Sequence, residues 1–226
     1  MFTQQVFEAA DGNLPVDAKG KRPLRMKVLK NDFLEKYFAQ AHPITPGLWF
    51  GWIPFYGLYA GFTTLPWWQV PLAFLGGVTI TTLIEYFLHR FAFHFEPKSA
   101  RGRLNVFLLH GYHHEFPNDP MRLVLPPMGI WPIAALVGVV YYFAFGPYFW
   151  VVYGGTALGY IGYDWTHYYT HHFNPKSGPG RWLKRYHMLH HHDSPNHRYG
   201  ITTPLWDLVF GTYAPLNKML RQAGKH

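Results

Sequence analysis

Four short stretches concentrate the side chains that could do chemistry: His89-Arg90-Phe91-Ala92-Phe93-His94, His110-Gly111-Tyr112-His113-His114, His167-Tyr168-Tyr169-Thr170-His171-His172 and His187-Met188-Leu189-His190-His191-His192. They hold twelve of the chain's fifteen histidines. The chain has no cysteine, so a thiolate site is excluded and any metal must be held by nitrogen and oxygen. Residues at i, i+3 and i+4 of a helix share a face. His110, His113 and His114 therefore point together, His187, His190 and His191 repeat the arrangement, and His167 with His171 is a two-residue version. His89 and His94 are five apart, roughly 140° around an ideal helix. Either the helix ends between them or each serves a different ion. The sum is ten imidazoles, and because one ion takes at most about six ligands, ten imply two metals. His172 and His192 sit about 100° off their neighbours' face and are expected outside the set. So are the isolated His42, His197 and His226.

Imidazole suits iron, zinc, copper or nickel. Two neighbouring metals can clamp a bridging oxygen for hydrolysis or, as iron, activate O₂. A hydrolase would usually keep a carboxylate ligand, and no Asp or Glu stands inside the four motifs.

Elements that could position these residues are visible in the charge pattern. No Lys, Arg, Asp or Glu occurs from Tyr37 to Ile84 or from Leu123 to Tyr163. A membrane span needs about 20 residues, so each run can hold a hairpin of two helices. Aromatic residues make up 19% of the chain, which suits interfacial rings at a bilayer. The mean hydropathy of -0.10 points the other way, but fifteen His and nineteen Pro depress it. All twenty Lys and Arg lie in 1–36, 90–122 or 176–226. Basic residues stay on the cytoplasmic side, so these three segments and both termini are expected there. The net charge of +8 then reflects topology and attraction to anionic lipid, and with no recognition motif beside it a nucleic-acid partner is not expected. Residues 1–20 are polar, and no cleavable signal peptide is visible.

In chain order, residues 1–20 are expected to be loosely ordered. Lys21 to Lys36 is basic and mixed with apolar residues, which suits either a helix lying on the headgroups or a solvated tail, and Asn31 or Asp32 can cap a short helix before Phe33-Leu34. His42-Pro43-Ile44-Thr45-Pro46 breaks the chain. Spans are then expected at about Gly47–Thr64, Val70 to beyond Phe87, Met128–Phe145 and Tyr148–Tyr168, with turns at Leu65-Pro66-Trp67-Trp68 and Gly146-Pro147. Glu85, four before His89, could accept that imidazole's free N–H, or pair instead with Arg90 or a lysine. Asp164, on the face of His167 and His171, is expected to support those rings in the same manner, because an ionisable group at the end of a span is functional by default. All four histidine motifs then fall on the cytoplasmic side. The fold expected is all-α: four transmembrane helices as two hairpins, with a cytoplasmic helical cap around a histidine-rich di-metal site. A juxtamembrane segment 1–41 precedes the main domain 42–215, and a tail 216–226 follows.

The combination HxxxxH, HxxHH, HxxxH and HxxHH on such a framework resembles the fatty acid hydroxylase superfamily, and most closely its fatty acid 2-hydroxylase branch. Further motifs share the likeness: Glu85 through His94, Leu109 through His114, Arg122-Leu123-Val124-Leu125-Pro126-Pro127, Gly159-Tyr160 with Tyr163-Asp164-Trp165-Thr166-His167-Tyr168-Tyr169, and Gly200-Ile201-Thr202-Thr203-Pro204-Leu205-Trp206-Asp207. The resemblance covers roughly residues 42–215. It implies two iron ions, with zinc possible in an isolated sample, held by His89, His94, His110, His113, His114, His167, His171, His187, His190 and His191. It also implies O₂-dependent insertion of a hydroxyl at the carbon next to an acyl carbonyl, usually of a sphingolipid acyl chain, with a free fatty acid as an alternative substrate. Residues 1–41 are too short for the cytochrome b5 domain that relatives often carry. Electrons are therefore expected from a separate cytochrome b5-like or ferredoxin/reductase donor, in a bacterial inner membrane or an endoplasmic reticulum.

Other functions fit the same ligands. A desaturase or a sterol or alkane oxygenase would differ in where the C–H bond lies. A zinc-storing or zinc-sensing membrane protein would consume no O₂, and a membrane zinc hydrolase would need neither oxygen nor reductant.

Overall fold

The computed structural model describes residues 1–216, and its regular structure is helical apart from one isolated bridge between Phe2 and Leu29. The helices in chain order are α1 (Gln4–Ala10), α2 (Asp32–Phe38), α3 (Thr45–Phe50), α4 (Trp52–Thr64), α5 (Gln69–Phe87), α6 (Ala100–Val106), α7 (Tyr112–Glu115), α8 (Pro127–Phe145), α9 (Phe149–His172), α10 (Gly178–His192) and α11 (Leu205–Val209). Two segments wind more widely, as π-helix: Leu88–Phe93 continues α5, and Phe107–Gly111 joins α6 to α7. Each expected apolar helix is present close to its expected limits. The first is formed by α3 and α4 through Gly51, whose backbone stays helical. Gln69–Phe93 and Pro127–His172 are long and apolar enough to cross a membrane. The second of these folds back at Gly146, where φ is +50°, into the α8–α9 hairpin.

Helix α9 is the axis of the bundle. Gly57 on α4 meets Trp150 and Gly154, while Gly47 meets Trp165, so α4 runs antiparallel to α9. Gln69 meets Tyr148 and Thr81 meets Thr156 and Gly159, so α5 runs parallel to it. Close approach depends on missing side chains. A Cβ on Gly155 would collide with the Phe74 carbonyl and one on Gly77 with the Val152 carbonyl. Small residues at such seams let helix backbones touch and pack by dispersion. The apolar bulk is on the outside instead: Phe55 is 76% exposed and Phe143 80%. A polar interior seam under an apolar surface of this extent suits lipid rather than water, and the chain is a membrane protein.

The N-terminal segment departs from expectation. Residues 1–20 were expected to be loose, yet Val6 and Ala9 of α1 are buried with Met26, Val28 and Leu29 against Leu104, Phe107, Tyr112 and Phe116. A single apolar pair at i and i+3, too short to mark a helix by itself, finds its partner on α6 and the π segment. The basic stretch is helical only from Asp32, where the Asn31 side chain accepts from the Leu34 N–H at 3.0 Å. Ahead of it the chain is largely irregular and is tied by Arg22 to Glu115 and by Asp11 to Arg103 at 2.7 Å, and within α2 Glu35 pairs with Arg122. The last pair is buried, and removing one partner of such a pair costs about 3–5 kcal/mol.

Candidate metal centre

The ten histidines converge into two groups of five. His89, His94, His110, His114 and His190 form one, and His113, His167, His171, His187 and His191 the other, with one nitrogen of each residue lying within 4.8 Å of the others in its group. The first quintet is built from the π-helical end of α5, the second π segment, α7 and α10. The second is built from α7, α9 and α10. They share a wall, since the rings of His114 and His191 stack with centroids 4.1 Å apart.

The way the chain divides its motifs differs from an ideal-helix projection. His89 and His94 serve the same quintet because the turn between them is π-helical: the His94 N–H donates to the His89 carbonyl at 3.2 Å, five residues back. A turn widened in this way returns i+5 to the face of i. His110, His113 and His114, expected to act together, are split. His110 and His114, four apart, belong to one quintet and His113 to the other. The fourth motif repeats the split, with His187 and His191 in one quintet and His190 in the other. Each HxxHH motif thus serves both groups.

The nitrogens are spaced for a shared cation. In the first quintet, Nε2 of His110 lies 3.0 Å from that of His89 and 2.9 Å from that of His114, and His190 lies 3.0 Å from His94. In the second, the Nε2 atoms run His167, His113, His191, His187, His171 at 2.9, 3.0, 3.0 and 2.8 Å. An imidazole nitrogen has either one N–H or one lone pair, so an atom inside such a row can satisfy only one neighbour. Hydrogen bonding among the rings therefore accounts for part of the row at most, whereas a cation at the centre satisfies all five. Two nitrogens bound about 2.1 Å from one ion at a right angle lie about 3.0 Å apart, against about 3.4 Å for a tetrahedral pair. The observed spacings are of this order, which fits nitrogens turned towards one shared ion.

Protonation fits as well. Burial pushes the imidazoles of His110, His113, His187 and His190 well below their ordinary pKa, and that of His114 down to about 3. The rings are therefore neutral at physiological pH, the state that binds metal. In the first quintet, His89 Nδ1 donates to the Tyr199 carbonyl at 2.6 Å and His190 Nδ1 to the His197 carbonyl at 2.8 Å. Each bond places the proton on Nδ1 and leaves Nε2 bare.

The loop that supplies these carbonyls gives little sign of its role in the sequence. Arg198, between them, adopts a left-handed backbone with φ +63°. Its buried side chain bonds to the Ala214 carbonyl, Asp193 and Ser194. Asp207 accepts from the N–H of Tyr199 at 2.9 Å and of Gly200 at 2.8 Å. Gly200 has no space for a Cβ, which would overlap the Thr203 carbonyl. Glu85 also acts here, and not on His89 as expected. It accepts from the Ile201 N–H at 2.5 Å and from the Thr202 N–H and hydroxyl at 3.0 and 2.6 Å. Arg90 is not its partner either, since that guanidinium donates to the Tyr86 hydroxyl. Glu85 thus reaches the first quintet through the loop.

Asp164 is buried, but its Oδ2 has no partner, and neither do the Nδ1 atoms of His113, His167, His187 and His191. The expected bond from Asp164 to an imidazole of its own helix is not made. Asp164 instead lines a cavity of about 400 Å³ with Tyr163, His110, His113 and His167. A second, almost wholly apolar cleft of about 120 Å³ lies among α5, α8 and α9 and shares Phe93, Leu125 and Tyr163 with the first. A third opening, of about 440 Å³, reaches His94, His110 and His114 from the side of Glu96 and Arg103. His172 stacks on Tyr168 and His192 is exposed, both outside the quintets. His42 and His197 also lie outside them, and His226 falls beyond the described residues.

Known proteins resemble this chain in sequence and in fold. Residues 74–212, which include all ten histidines, match the fatty acid hydroxylase family model. Dihydroceramide fatty acyl 2-hydroxylase FAH2 of Arabidopsis thaliana is 43% identical over 148 residues, 64% of this chain and 61% of that protein. The ceramide very long chain fatty acid hydroxylase SCS7 of Saccharomyces cerevisiae is 37% identical over 235 residues, 88% of this chain and 60% of that one. Fatty acid 2-hydroxylase of Homo sapiens is 38% identical over 70% of this chain and 45% of its own length. The chain thus spans about three-fifths or less of these relatives. A solved structure described as full-length Scs7p with only the hydroxylase domain visible superposes with a TM-score of 0.77 at 32% identity, over 85% of this chain and 74% of that one. Ten histidines in two quintets, carried on a helical bundle shared with that hydroxylase domain, sit wholly within the matched region, and the chain belongs to the fatty acid hydroxylase family.

Proposed function

We propose that the chain inserts a hydroxyl group from O₂ at C2 of a membrane-borne acyl chain, as a monooxygenase with two iron ions, one in each histidine quintet. The observation that carries this is an apolar cleft that shares Phe93, Leu125 and Tyr163 with a neighbouring cavity whose wall holds histidines of both quintets. A lipid C–H bond resists acid, base and nucleophile, so its oxidation needs redox chemistry, which paired irons with O₂ and an external reductant supply. The relatives act, by name, on dihydroceramide fatty acyl chains and on very long chain fatty acids of ceramide, and an acyl chain of such a lipid is the substrate that fits the cleft.

The chain's own residues bind, orient and exclude water. Ile84, Ile133, Ala134 and Val137 line the cleft around the acyl tail, where burial contributes about 0.8 kcal/mol per methylene. The carbonyls of Tyr199 and His197 keep His89 and His190 facing the centre. Asp164 brings a carboxylate oxygen without a partner, Oδ2, to the cavity wall, where it accepts from a polar group of the substrate. The bundle is placed in the membrane as four spans, with the histidine cap in the cytoplasm. Electrons arrive from a separate cytochrome b5-like or ferredoxin/reductase donor.

Lipid mass spectrometry of cells expressing the chain under ¹⁸O₂ tests this, beside a His110→Ala/His190→Ala double variant. The expected product is an acyl lipid heavier by one labelled oxygen at C2 and absent from the variant. An unsaturated product without label would assign a desaturase. No oxidised lipid with an active reductase supplied would leave a non-redox metal protein.

A further inference from the structure

The cavity beside both quintets carries one cationic group that the chemistry above does not use. Arg122 lines it with Asn105 and His113, and its side chain is only 6% exposed. The guanidinium is held on two sides. Its Nη2 donates to Glu35, and its Cζ lies 4.8 Å from the centroid of the Tyr112 ring. Its Nη1 is buried with no partner. Glu35 is already occupied, accepting from the N–H groups of Val28 and Leu29 and from the Gln40 amide. The N-terminal segment thus fixes Arg122 in place while leaving one guanidinium nitrogen to be satisfied.

A buried N–H without an acceptor is costly, and a guanidinium N–H is suited to a carbonyl or carboxylate oxygen. Such an oxygen must come with an apolar tail, because the surface of the adjoining cleft is almost wholly apolar. The geometry points to Arg122 as a substrate-binding residue whose Nη1 takes the C1 oxygen of the acyl group, so that C2 is the carbon presented to the metal centre. This rests on the acyl hydroxylase function above and deepens it. The site selects lipids with an oxygen on C1, whether the amide carbonyl of an N-acyl sphingoid base or the carboxylate of a free acid, over plain hydrocarbons, which offer Nη1 nothing. Only an anchored C1 makes C2 the unique point of attack on a chain of similar methylenes.

The test measures binding first and turnover second, on the purified full chain with its metals. Radiolabelled N-palmitoyl sphinganine is competed with unlabelled N-palmitoyl sphinganine, palmitate or a chain-matched hydrocarbon. The wild type is expected to prefer an acyl competitor over the hydrocarbon by at least about tenfold, the value of one hydrogen bond to a charged group. A Glu35→Gln/Arg122→Met double variant removes both charges, so no carboxylate is left buried alone. It is expected to lose that preference while keeping the wild-type metal content, and the acyl competitor whose affinity falls more identifies the natural head group. Arg122→Lys, which keeps the charge and one donor, is expected to retain part of the preference and covers the case in which the double variant does not fold. Undiminished discrimination by the double variant, or by Arg122→Lys where only that folds, would overturn the assignment. In turnover the double variant is expected to spread hydroxylation from C2 to C3 with a raised KM. A wild type that discriminates but makes no oxidised lipid would overturn the hydroxylase function and leave Arg122 as an acyl-binding group. C2 hydroxylation by the double variant with unchanged KM would overturn Arg122 alone.

Discussion

The two quintets use the same side chain five times each, and yet they are held in different ways. In the first, His89 and His190 are fixed by carbonyls of one loop, which Glu85, Asp207 and Arg198 in turn fix. In the second, the outer nitrogens of four histidines have no partner, and the rings are set by the helices that carry them. There, Lys184 bridges the carbonyls of Thr170 and Phe173 at the end of α9, tying α10, with His187 and His191, to α9, with His167 and His171. Orientation by a hydrogen-bonded loop and orientation by helix packing should respond to different damage. The first group also meets the third opening through His94, His110 and His114, whereas none of the second group lines it.

Mutations can pull this difference apart. The largest effect is expected from Asp207→Ala, which frees the N–H groups of Tyr199 and Gly200 together. It should lower the affinity of the first quintet for metal by about 10–100-fold, the usual cost of losing the groups that orient a histidine ligand, and spare the second. Chelator titration with metal analysis would show one ion leaving early, and loss of both at the same chelator concentration would break the distinction. Lys184→Ala should do the reverse more weakly, loosening the second quintet through the α9–α10 junction in the same titration. Glu85→Gln keeps the shape of its bonds to Ile201 and Thr202 but removes the charge, worth about 1–2 kcal/mol in such contacts. A modest shift confined to the first quintet is expected. His192→Ala should leave metal content and release unchanged, since that ring is exposed and outside both groups.

The gathering of the ten histidines was legible in the sequence because three of the four motifs repeat a helical interval, and the apolar helices were legible because charge is absent over two long runs. The partition was not. An i, i+3, i+4 triad looks like one face in projection, but three rings on one turn splay by up to a full side-chain width, enough to serve two centres side by side. His89 and His94 fitted an ideal helix poorly because the turn between them is π-helical, a deviation no residue there announces. Glu85 and Asp164 stood out as carboxylates beside histidine motifs at the ends of spans without disclosing their partners, since those depend on the return of residues 199–207 to α5 and on a cavity among α9, the start of α8 and the Phe107–Gly111 segment. The packing of the N-terminal segment is hidden from the sequence for a related reason. Val6, Ala9, Met26 and Val28 form a buried face only once α6 and the π segment are present to cover it.

The division into two centres is tested most directly by metal analysis of the anaerobically purified chain beside His191→Ala and His94→Ala. Two ions per chain are predicted for the wild type and close to one for each variant, with the ion lost from a different quintet in each. Equal loss of both ions in either variant would contradict the two-quintet account, and so would a wild type that binds a single ion.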